Sequence, residues 1–350
     1  MLIILDPRAD RERLNADLQG LGLWTERFES LHGGADALLV APHSSAVDPA
    51  QIAAIEGVAE VRLPESQHPR LDAQADETLD LGICSIGPNV RPVLMAGPCS
   101  VETEEQIHAA AAIVAEAGGR LLRGGAFKPR TSPYSFQGRG RPALSWIRGA
   151  ADAHGLGVVT EVMSEEEVDA VAAVADLVQI GSRNMQNYAL LHAVGRAGRP
   201  VLLKRGMAAT IDEWLLAAEH LLSAGAAGVA LCERGVQGFD PRTRNLLDLG
   251  AVALVRHVHR LPVIVDPSHA TGRRDLVPPL AKAALAAGAA GLLVEAHPHA
   301  RTAMSDGPQA LSPEELVALG RGAFPTHDDE RPLRSPARVP VPSTPSQEAR

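Results

Sequence analysis

The most constraining feature of the sequence is a strand-then-helix pattern that repeats eight times from Val93 onward. Apolar runs of the kind that form buried strands lie near Val93–Ala96, Leu121–Leu122, Val158–Val162, Leu177–Ile180, Val201–Leu203, Gly228–Cys232, Val263–Val265 and Gly291–Val294. Such runs, alternating with helices, predict parallel strands joined by crossover helices. Eight units in roughly 230 residues are typical of an α/β protein with a (β/α)8 TIM barrel, whose active site lies at the C-terminal strand ends. An open doubly wound sheet is the alternative, although no GxGxxG turn follows any of the runs.

Each apolar run is followed by a stretch with helical periodicity. These stretches are Glu104–Ala117, Ala143–His154, Glu165–Ala173, Tyr188–Gly195, Ile211–Ala224, Leu246–Val258, Leu276–Ala287 and Pro313–Leu319. Residues 1–64 instead read as β-α-β-β-α-β, the order of a ferredoxin-like α+β domain. Residues 65–90 read as a linker with a hairpin near Leu79–Ile86 that covers the barrel base, residues 91–324 as the barrel, and residues 325–350 as a disordered, proline-rich tail.

Composition excludes several classes of partner. The formal net charge is −9, which argues against nucleic acid or a membrane surface as a general partner, because both require a basic face. Three cysteines, Cys84, Cys99 and Cys232, form no CxxC motif and follow no signal peptide, so a reducing cytoplasm fits best. No apolar run approaches the length of about 18 residues that a membrane span requires.

The stretch Leu121–Gly138 places three cations, Arg123, Lys128 and Arg130, close together in a loop that contains glycines and prolines. Gly124 and Gly125 allow close backbone approach or a positive φ. The neutral donors of this loop, Thr131, Ser132 and Ser135, accompany a guanidinium fork that suits phosphate oxygens. The loop therefore predicts a site for a small phosphorylated or carboxylated molecule, whereas the simpler alternative is a solvated basic loop.

Polar residues follow the predicted strands and should converge at one end of the barrel. The cations are Arg123, Lys128, Arg183, Lys204, Arg205 and Arg234, and the acidic groups include Glu161, Glu233 and Asp266. Strands one, seven and eight become neighbours when a barrel closes, and they bring Cys99, His269, Glu295 and Asp306. Mixed sulfur, nitrogen and oxygen ligands suit Mn, Fe, Co or Zn better than Mg or Ca, so this wall predicts a divalent metal site.

Each potential ligand also has a simpler interpretation. Cys99 alone fits a small buried hydrophobe, and His269 alone fits a structural hydrogen-bonding residue. Glu295 could pair with an arginine or a lysine. His297 and His299 are rival ligands, but Glu295 occupies the strand-end position. The joint alignment of all four residues with strand ends favours the metal site.

Seven strings in this region resemble one enzyme family. They are AGPCSVE (96–102), LLRGGAFKPRTSPYSFQG (121–138), QIGSRNMQN (179–187), PVLLKRG (200–206), LCERG (231–235), VDPSHATGRRDLV (265–277) and VEAHP with SDG (294–298 and 305–307). Together they resemble 3-deoxy-7-phosphoheptulonate (DAHP) synthase, of the subclass related to 3-deoxy-8-phosphooctulonate synthase. The resemblance implies a metal-dependent condensation of phosphoenolpyruvate with erythrose 4-phosphate, the first step of the shikimate pathway toward chorismate and the aromatic amino acids.

The resemblance also implies roles for individual residues. Cys99, His269, Glu295 and Asp306 would bind the metal, and a second group would bind phosphoenolpyruvate: Arg123, Lys128, Arg183, Lys204 and Arg234. Arg130, Thr131 and Ser132 would take the aldose phosphate. The catalytic residues would be Lys128, Cys99 and His269. Lys128 would pass a proton to the new alkoxide or simply pair with the charge of the substrate, and Glu161 or Asp266 would position water.

Further implications concern regulation and assembly. The N-terminal domain is similar to an appended regulatory domain that binds an aromatic amino acid, and family members form homo-oligomers, tetramers or dimers. The nearest rival activity uses arabinose 5-phosphate, but residues 128–132 read Lys-Pro-Arg-Thr-Ser, whereas the octulosonate enzymes carry an Ala-Asn-Arg-Thr-Ser version. A catalytically inert, amino-acid-binding barrel is the alternative from a different class.

Overall fold

The computed structural model describes residues 1–28, 36–41, 47–63, 65–88, 90–128, 132 and 134–324. It divides into a small unit that contains Met1–Ser66 and a large unit, Gln67–Glu330. The predicted tail, residues 325–350, lies outside the described residues. Among the helices in the described ranges, none is both long enough and apolar enough to cross a membrane.

The small unit is a four-stranded antiparallel sheet with two helices. Its elements are β1 (Leu2–Leu5), α1 (Arg11–Gly20), β2 (Thr25–Phe28), β3 (Ala37–Val40), α2 (Pro49–Ala53) and β4 (Val58–Arg62). The strand order β2-β3-β1-β4 is the one that a ferredoxin-like chain path produces. Ile3 and Leu38 of the sheet pack with Leu14 and Leu18 of α1 and Ile52 of α2, so both helices cover one face.

The large unit begins with a short helix, inside the segment predicted as a linker, and with the hairpin that was predicted there. These are α3 (Pro69–Ala73), β5 (Leu79–Asp80) and β6 (Ser85–Ile86). The helix was missed because its start depends on a distant residue: the Glu219 carboxylate accepts hydrogen bonds from the backbone N–H groups of Arg70 and Leu71, at 3.2 and 2.8 Å. A tertiary cap of this kind leaves no local signal in the sequence.

The barrel consists of eight parallel strands, all buried on both faces apart from single positions in two of them. They are β7 (Val93–Gly97), β8 (Leu121–Arg123), β9 (Gly157–Val162), β10 (Leu177–Ile180), β11 (Pro200–Lys204), β12 (Gly228–Glu233), β13 (Val263–Val265) and β14 (Gly291–Glu295). Each strand pairs with the next, and β14 pairs with β7 over five residues from Gly291 opposite Val93 to Glu295 opposite Gly97. The predicted TIM barrel with an N-terminal α+β domain is confirmed, and closure excludes the open sheet.

Helices surround the barrel between consecutive strands. They are α4 (Glu104–Glu116), α5 (Arg141–Ala153), α6 (Val168–Ala172), α7 (Tyr188–Arg196), α8 (Ile211–Ser223), α9 (Leu249–His257), α10 (Pro267–Thr271), α11 (Val277–Ala286) and α12 (Pro313–Ala323). The α9 boundary was predicted at Leu246 and is wrong by three residues. Leu246 instead forms an antiparallel bridge with Val236, and Asp248 caps the helix by accepting a hydrogen bond from Ala251 N. The α10 helix was not predicted.

The hairpin lies at the N-terminal end of the barrel. Leu79, Leu81 and Ile86 belong to one apolar cluster with inward-facing residues of the barrel strands, among them Val93, Met95, Leu121, Val159, Leu202 and Ile264. A Cβ on Gly228, the first residue of β12, would stand 2.5 Å from Leu79 Cδ1, so the hairpin packs closely against the strand starts. This packing closes the barrel at the end opposite the C-terminal strand ends.

Candidate active site and metal centre

The four residues predicted as metal ligands converge at the C-terminal end of the barrel. Cys99 follows β7, His269 lies in α10 directly after β13, Glu295 ends β14, and Asp306 lies in the loop beyond it. One ligand atom from each residue lies within 4.8 Å of the other three. Cys99 Sγ is 2.9 Å from Asp306 Oδ2, and His269 Nε2 is 3.2 Å from Glu295 Oε1. The pairing of β14 with β7 explains why residues so distant in sequence meet.

This donor set fits a divalent metal ion. Ligand atoms bonded to one four-coordinate ion at about 2.0–2.3 Å stand roughly 3.3–3.8 Å apart, close to the spacing here. One thiol, one imidazole and two carboxylates form a mixed set that suits transition metals. His297 and His299, the rival ligands, contact other groups: His297 Nε2 lies 3.6 Å from Glu102, and His299 N donates to His297 Nδ1.

Each ligand is held by neighbours that the sequence did not reveal. Ser305 Oγ lies 2.9 Å from Cys99 Sγ, and Gln309 Nε2 donates to Glu295 Oε2 at 2.5 Å. Asp306 has a φ of +52°, a left-handed conformation that turns its carboxylate back toward Cys99. Contacts of this kind fix the orientation of metal ligands.

Asp266 connects the metal ligands with the cationic wall. Its Oδ2 accepts hydrogen bonds from Lys204 Nζ at 2.5 Å and from His269 Nδ1 at 2.6 Å, and its Oδ1 caps α10 through His269 N at 2.9 Å. With Nδ1 donating to Asp266, the Nε2 atom of His269 is the one presented to the other three ligands. Asp266 is 1% exposed, so the geometry favours a positioning role over the predicted contact with water or substrate.

Burial and charge set the protonation of these groups. Burial raises the pKa of the Cys99 thiol to about 12, with the Glu295 charge adding to the shift. Burial lowers the pKa of His269 and favours its neutral, ligating form. Burial alone would raise the pKa of Glu295, but His269 and Arg123 outweigh it and the pKa is lowered. The pKa of Asp306 is also lowered, because the Cys99 hydrogen bond and the His269 charge outweigh burial.

A cavity of about 600 Å³ opens beside the four ligands and collects most of the predicted substrate-binding residues. Its lining includes Cys99, Arg123, Lys128, Ser132, Ser135, Glu161, Gln179, Arg183, Lys204, Arg234, Arg244, His269 and Asp306. Five of the six strand-end cations named above are therefore in one cavity. Arg205, the sixth, turns away to pair with Glu233 and Asp248, each at 3.0 Å, and has a structural role. Arg130 and Thr131 lie outside the described residues.

The cations of this cavity differ in whether their N–H donors already bond to carboxylates of the protein. Arg123 NH1 donates to Glu295 at 2.6 Å, and Lys204 donates to Asp266. Arg234 is 7% exposed, and its Nε and NH1 atoms have no hydrogen-bond partner among the described residues. Burial lowers the pKa of Arg234. A buried guanidinium with unused donors, facing a cavity, is the arrangement expected for binding an anion.

Glycines allow the backbone and side chains to approach closely around the cavity. A Cβ on Gly97 would lie 2.1 Å from the carbonyl oxygen of Arg123, and one on Gly181 would lie 1.9 Å from Glu161 Oε1. The sequence allowed Gly124 and Gly125 either a close approach of the backbone or a positive φ, and the structure shows the close approach. A Cβ on Gly125 would be 3.1 Å from both Cys99 O and Lys128 Nζ. Gln179, which donates to Glu161 at 3.2 Å, was not predicted from sequence.

Comparison with known proteins agrees with a metal-ligand cluster beside a cation-lined cavity. The sequence profile of the DAHP synthetase I family matches residues 71–323. The phospho-2-dehydro-3-deoxyheptonate aldolase of Thermotoga maritima is 47% identical over 286 residues, which are 82% of this chain and 83% of that protein. The 2-dehydro-3-deoxyphosphooctonate aldolase of Polaromonas naphthalenivorans is 35% identical over 253 residues, 65% of this chain and 87% of that protein.

Solved structures agree with the sequence matches. The crystal structure of the Thermotoga maritima DAHP synthase superposes with a TM-score of 0.71 at 40% identity and covers 91% of this chain and 94% of that one. A truncated form of the Thermotoga maritima enzyme superposes with a TM-score of 0.65 at 45% identity, over 70% of this chain and 90% of that one. These matches confirm the predicted enzyme class, and the chain belongs to the DAHP synthetase I family.

Proposed function

We propose that this chain condenses phosphoenolpyruvate with erythrose 4-phosphate and water, giving 3-deoxy-7-phosphoheptulonate and phosphate. The observation that carries the proposal is the juxtaposition of the four-ligand cluster with a cation-lined cavity of about 600 Å³. Such a site suits two phosphorylated substrates, one of which must be made more electrophilic. The 47% identity to the Thermotoga maritima enzyme supports the same choice.

Phosphoenolpyruvate carries a phosphate and a carboxylate, and we assign both to the cationic wall. Arg234 has two donor nitrogens, Nε and NH1, that bond to none of the described residues, and Arg183 and Lys204 line the same cavity. Guanidinium groups bind phosphate and carboxylate oxygens through paired hydrogen bonds. Ser132 also lines the cavity, and with Arg130 and Thr131 it is assigned to the phosphate of the aldose.

The cofactor is assigned as a divalent ion, Mn, Fe, Co or Zn, held by Cys99, His269, Glu295 and Asp306. When bound, such an ion supplies Lewis acidity to the aldehyde oxygen of erythrose 4-phosphate. The residues of the chain then have separate tasks. Asp266 orients His269 through Nδ1, and Gln309 orients Glu295 through its second oxygen.

Carbon three of phosphoenolpyruvate attacks the aldehyde carbon, and a new carbon–carbon bond forms. The aldehyde oxygen becomes an alkoxide that needs a proton, and Lys128 is assigned as its donor. Lys128 is buried in the lining of the cavity that also contains Cys99. Its Nζ atom and the Cys99 carbonyl oxygen both lie 3.1 Å from the position that a Cβ would take on Gly125, so the ammonium group lies near the ligand cluster. Positive character grows at carbon two, where water adds before phosphate leaves. Glu161, held by Gln179, is assigned to position that water.

The test of this function is phosphate release from phosphoenolpyruvate by the full chain. We expect release that requires erythrose 4-phosphate, stops with a chelator, and returns when a transition metal is added. Cys99→Ser should lower metal content and turnover together, because a hydroxyl is a weaker ligand than a thiolate. Release that persists in metal-free protein would refute the metal-dependent proposal.

Arabinose 5-phosphate is the competing co-substrate, because the octulosonate relatives are also similar over 65% of this chain. We propose erythrose 4-phosphate because the relative with the higher identity, 47%, is a heptonate enzyme. Product formation with each sugar at equal concentration decides between them. A higher specificity constant, kcat/KM, for arabinose 5-phosphate would reverse the assignment.

The small unit is assigned to regulation by an aromatic amino acid, and the enzyme to a homo-oligomer, a tetramer or a dimer, in the cytoplasm. This assignment follows from the family resemblance and from the ferredoxin-like strand order of Met1–Ser66. The rate of phosphate release with tyrosine, phenylalanine or tryptophan tests the effector. Sedimentation of the same protein, with and without the amino acid, tests the assembly.

A further inference from the structure

A second cluster of side chains of the types that ligate metals lies within the large unit. His68 directly precedes α3, Asp72 lies one turn later in the same helix, and His259 lies in the loop between α9 and β13. One ligand atom from each of these residues lies within 4.8 Å of the other two. His68 Nδ1 is 2.9 Å from Asp72 Oδ1, and the two imidazole rings meet edge to face with centroids 5.9 Å apart.

This cluster is separate from the catalytic cavity. The loop between α9 and β13 leads into the start of a barrel strand, so it lies at the N-terminal end of the barrel, whereas the catalytic ligands follow the strand ends. The chain nearby confirms the location. Gln74 exchanges two hydrogen bonds of 2.7 Å with Val229 near the start of β12, and Asp76 N donates to Arg260 O at 2.9 Å.

His68 is not used for the local purpose that its position would suggest. It is the N-cap residue of α3, but its side chain makes no capping hydrogen bond, and Glu219 accepts from the first amides of the helix instead. The spacing of His68 and Asp72, four residues apart, places both on one face of the helix. That face is directed at His259, which belongs to a segment far away in the sequence.

We propose that His68, Asp72 and His259 form a second divalent-metal site, which joins α3 to the loop between α9 and β13. Two imidazoles and one carboxylate, with a fourth position left for water, form a donor set suited to Zn²⁺ or a similar transition-metal ion. Ligand atoms on such an ion would stand about 3.3 Å apart, so small rotations of the three side chains are sufficient.

Two further features agree with this site. Burial lowers the pKa of His259, with the neighbouring His68 adding to the shift, and this favours the neutral imidazole that binds metals. Asp72 is about half exposed, which leaves an open path for the ion from solvent. Because the chain around Gln74 and Asp76 is already hydrogen-bonded to the barrel, the ligands are largely in place before the ion arrives.

Equilibrium dialysis of the full-length protein against Zn²⁺, followed by elemental analysis, tests the proposal. We expect two ions per wild-type chain and one fewer in His259→Gln and in Asp72→Asn. Asp72→Asn alters a half-exposed carboxylate and covers the case in which His259→Gln does not fold. His257→Gln is the matched control, because His257 is an exposed histidine at the end of α9 outside the cluster, and it should retain both ions.

The catalytic site is distinguished by His269→Gln and by cobalt spectroscopy. Co²⁺ bound beside Cys99 gives a thiolate charge-transfer band, and Co²⁺ at the second cluster, which has no thiol, does not. We expect His259→Gln to retain this band and the wild-type rate of phosphate release. Loss of one ion in His269→Gln but none in His259→Gln and Asp72→Asn would overturn the second site and leave the proposed function intact. Loss only in the latter two would support the second site and refute the catalytic one.

Discussion

Replacing Asp266 by asparagine removes the charge that Lys204 and His269 share while preserving the size of the side chain. Asp266 is 1% exposed and Lys204 is 4% exposed, so the variant leaves a buried ammonium without its counter-ion. Loss of one partner of a buried pair costs about 3–5 kcal/mol in the free energy of unfolding. Loss of the His269 Nδ1 acceptor should also weaken metal binding by about 10–100-fold, or about 1.4–2.7 kcal/mol.

Two measurements separate these effects: urea unfolding followed by circular dichroism, and metal affinity by competition with a chelator. Glu233→Gln is the control, because Glu233 is also fully buried and pairs with Arg205 at 3.0 Å, but outside the ligand cluster. We expect both variants to lose stability and only Asp266→Asn to lose metal affinity. Wild-type metal affinity in Asp266→Asn would show that Asp266 is a structural ion pair alone, and the positioning argument would be wrong.

Three more predictions test other parts of the structure. Gly97→Ala should lower the free energy of unfolding by about 3 kcal/mol or more, because its Cβ would lie 2.1 Å from Arg123 O at a φ of +145°. The control is Gly149→Ala in α5, whose Cβ meets nothing within 4 Å and which should be neutral or stabilising by up to about 1 kcal/mol, so equal urea midpoints for the two variants would contradict this. Arg234→Lys should raise the KM for phosphoenolpyruvate by about tenfold or more through loss of paired donors, and steady-state kinetics that show an unchanged KM would remove Arg234 from the anion site. Burial raises the pKa of the Cys84 thiol to about 11, so its thiolate fraction at pH 8 is roughly one in a thousand and grows only as pH rises toward 11. Iodoacetamide should therefore label Cys84 about a hundredfold more slowly in the folded protein than in the unfolded chain, and equal labelling rates by mass spectrometry would contradict the raised pKa.

Sequence located the barrel strands well because they are buried on both faces and appear as continuous apolar runs. Leu177–Ile180 and Val263–Val265 coincide with the observed strands. The convergence of Cys99, His269, Glu295 and Asp306 could also be predicted, because the order of strands around a closed barrel follows the order of the strands in the chain. These predictions depend on the local pattern of apolar residues and on the number and order of the strand–helix units, both of which can be read from the sequence.

Other features depend on contacts between distant residues and could not be read locally. The start of α3 is capped by Glu219, and Gln309 orients Glu295 from a loop whose path was unknown. Lys204 and Arg205 are adjacent cations at one strand end, but only Lys204 lines the cavity, because successive side chains face opposite sides of the sheet. Asp266 was expected to position water because nothing in the sequence showed that Lys204 and His269 would occupy one of its oxygens.

The hairpin at the barrel base has a kinetic consequence. Leu79, Leu81 and Ile86 fill the N-terminal end, so reactants and products exchange with solvent on the side of the C-terminal loops. Whichever substrate occupies the deeper position must enter the cavity before the other. Binding should therefore follow a compulsory sequence, and an excess of the shallower ligand should slow turnover by blocking the path of its partner.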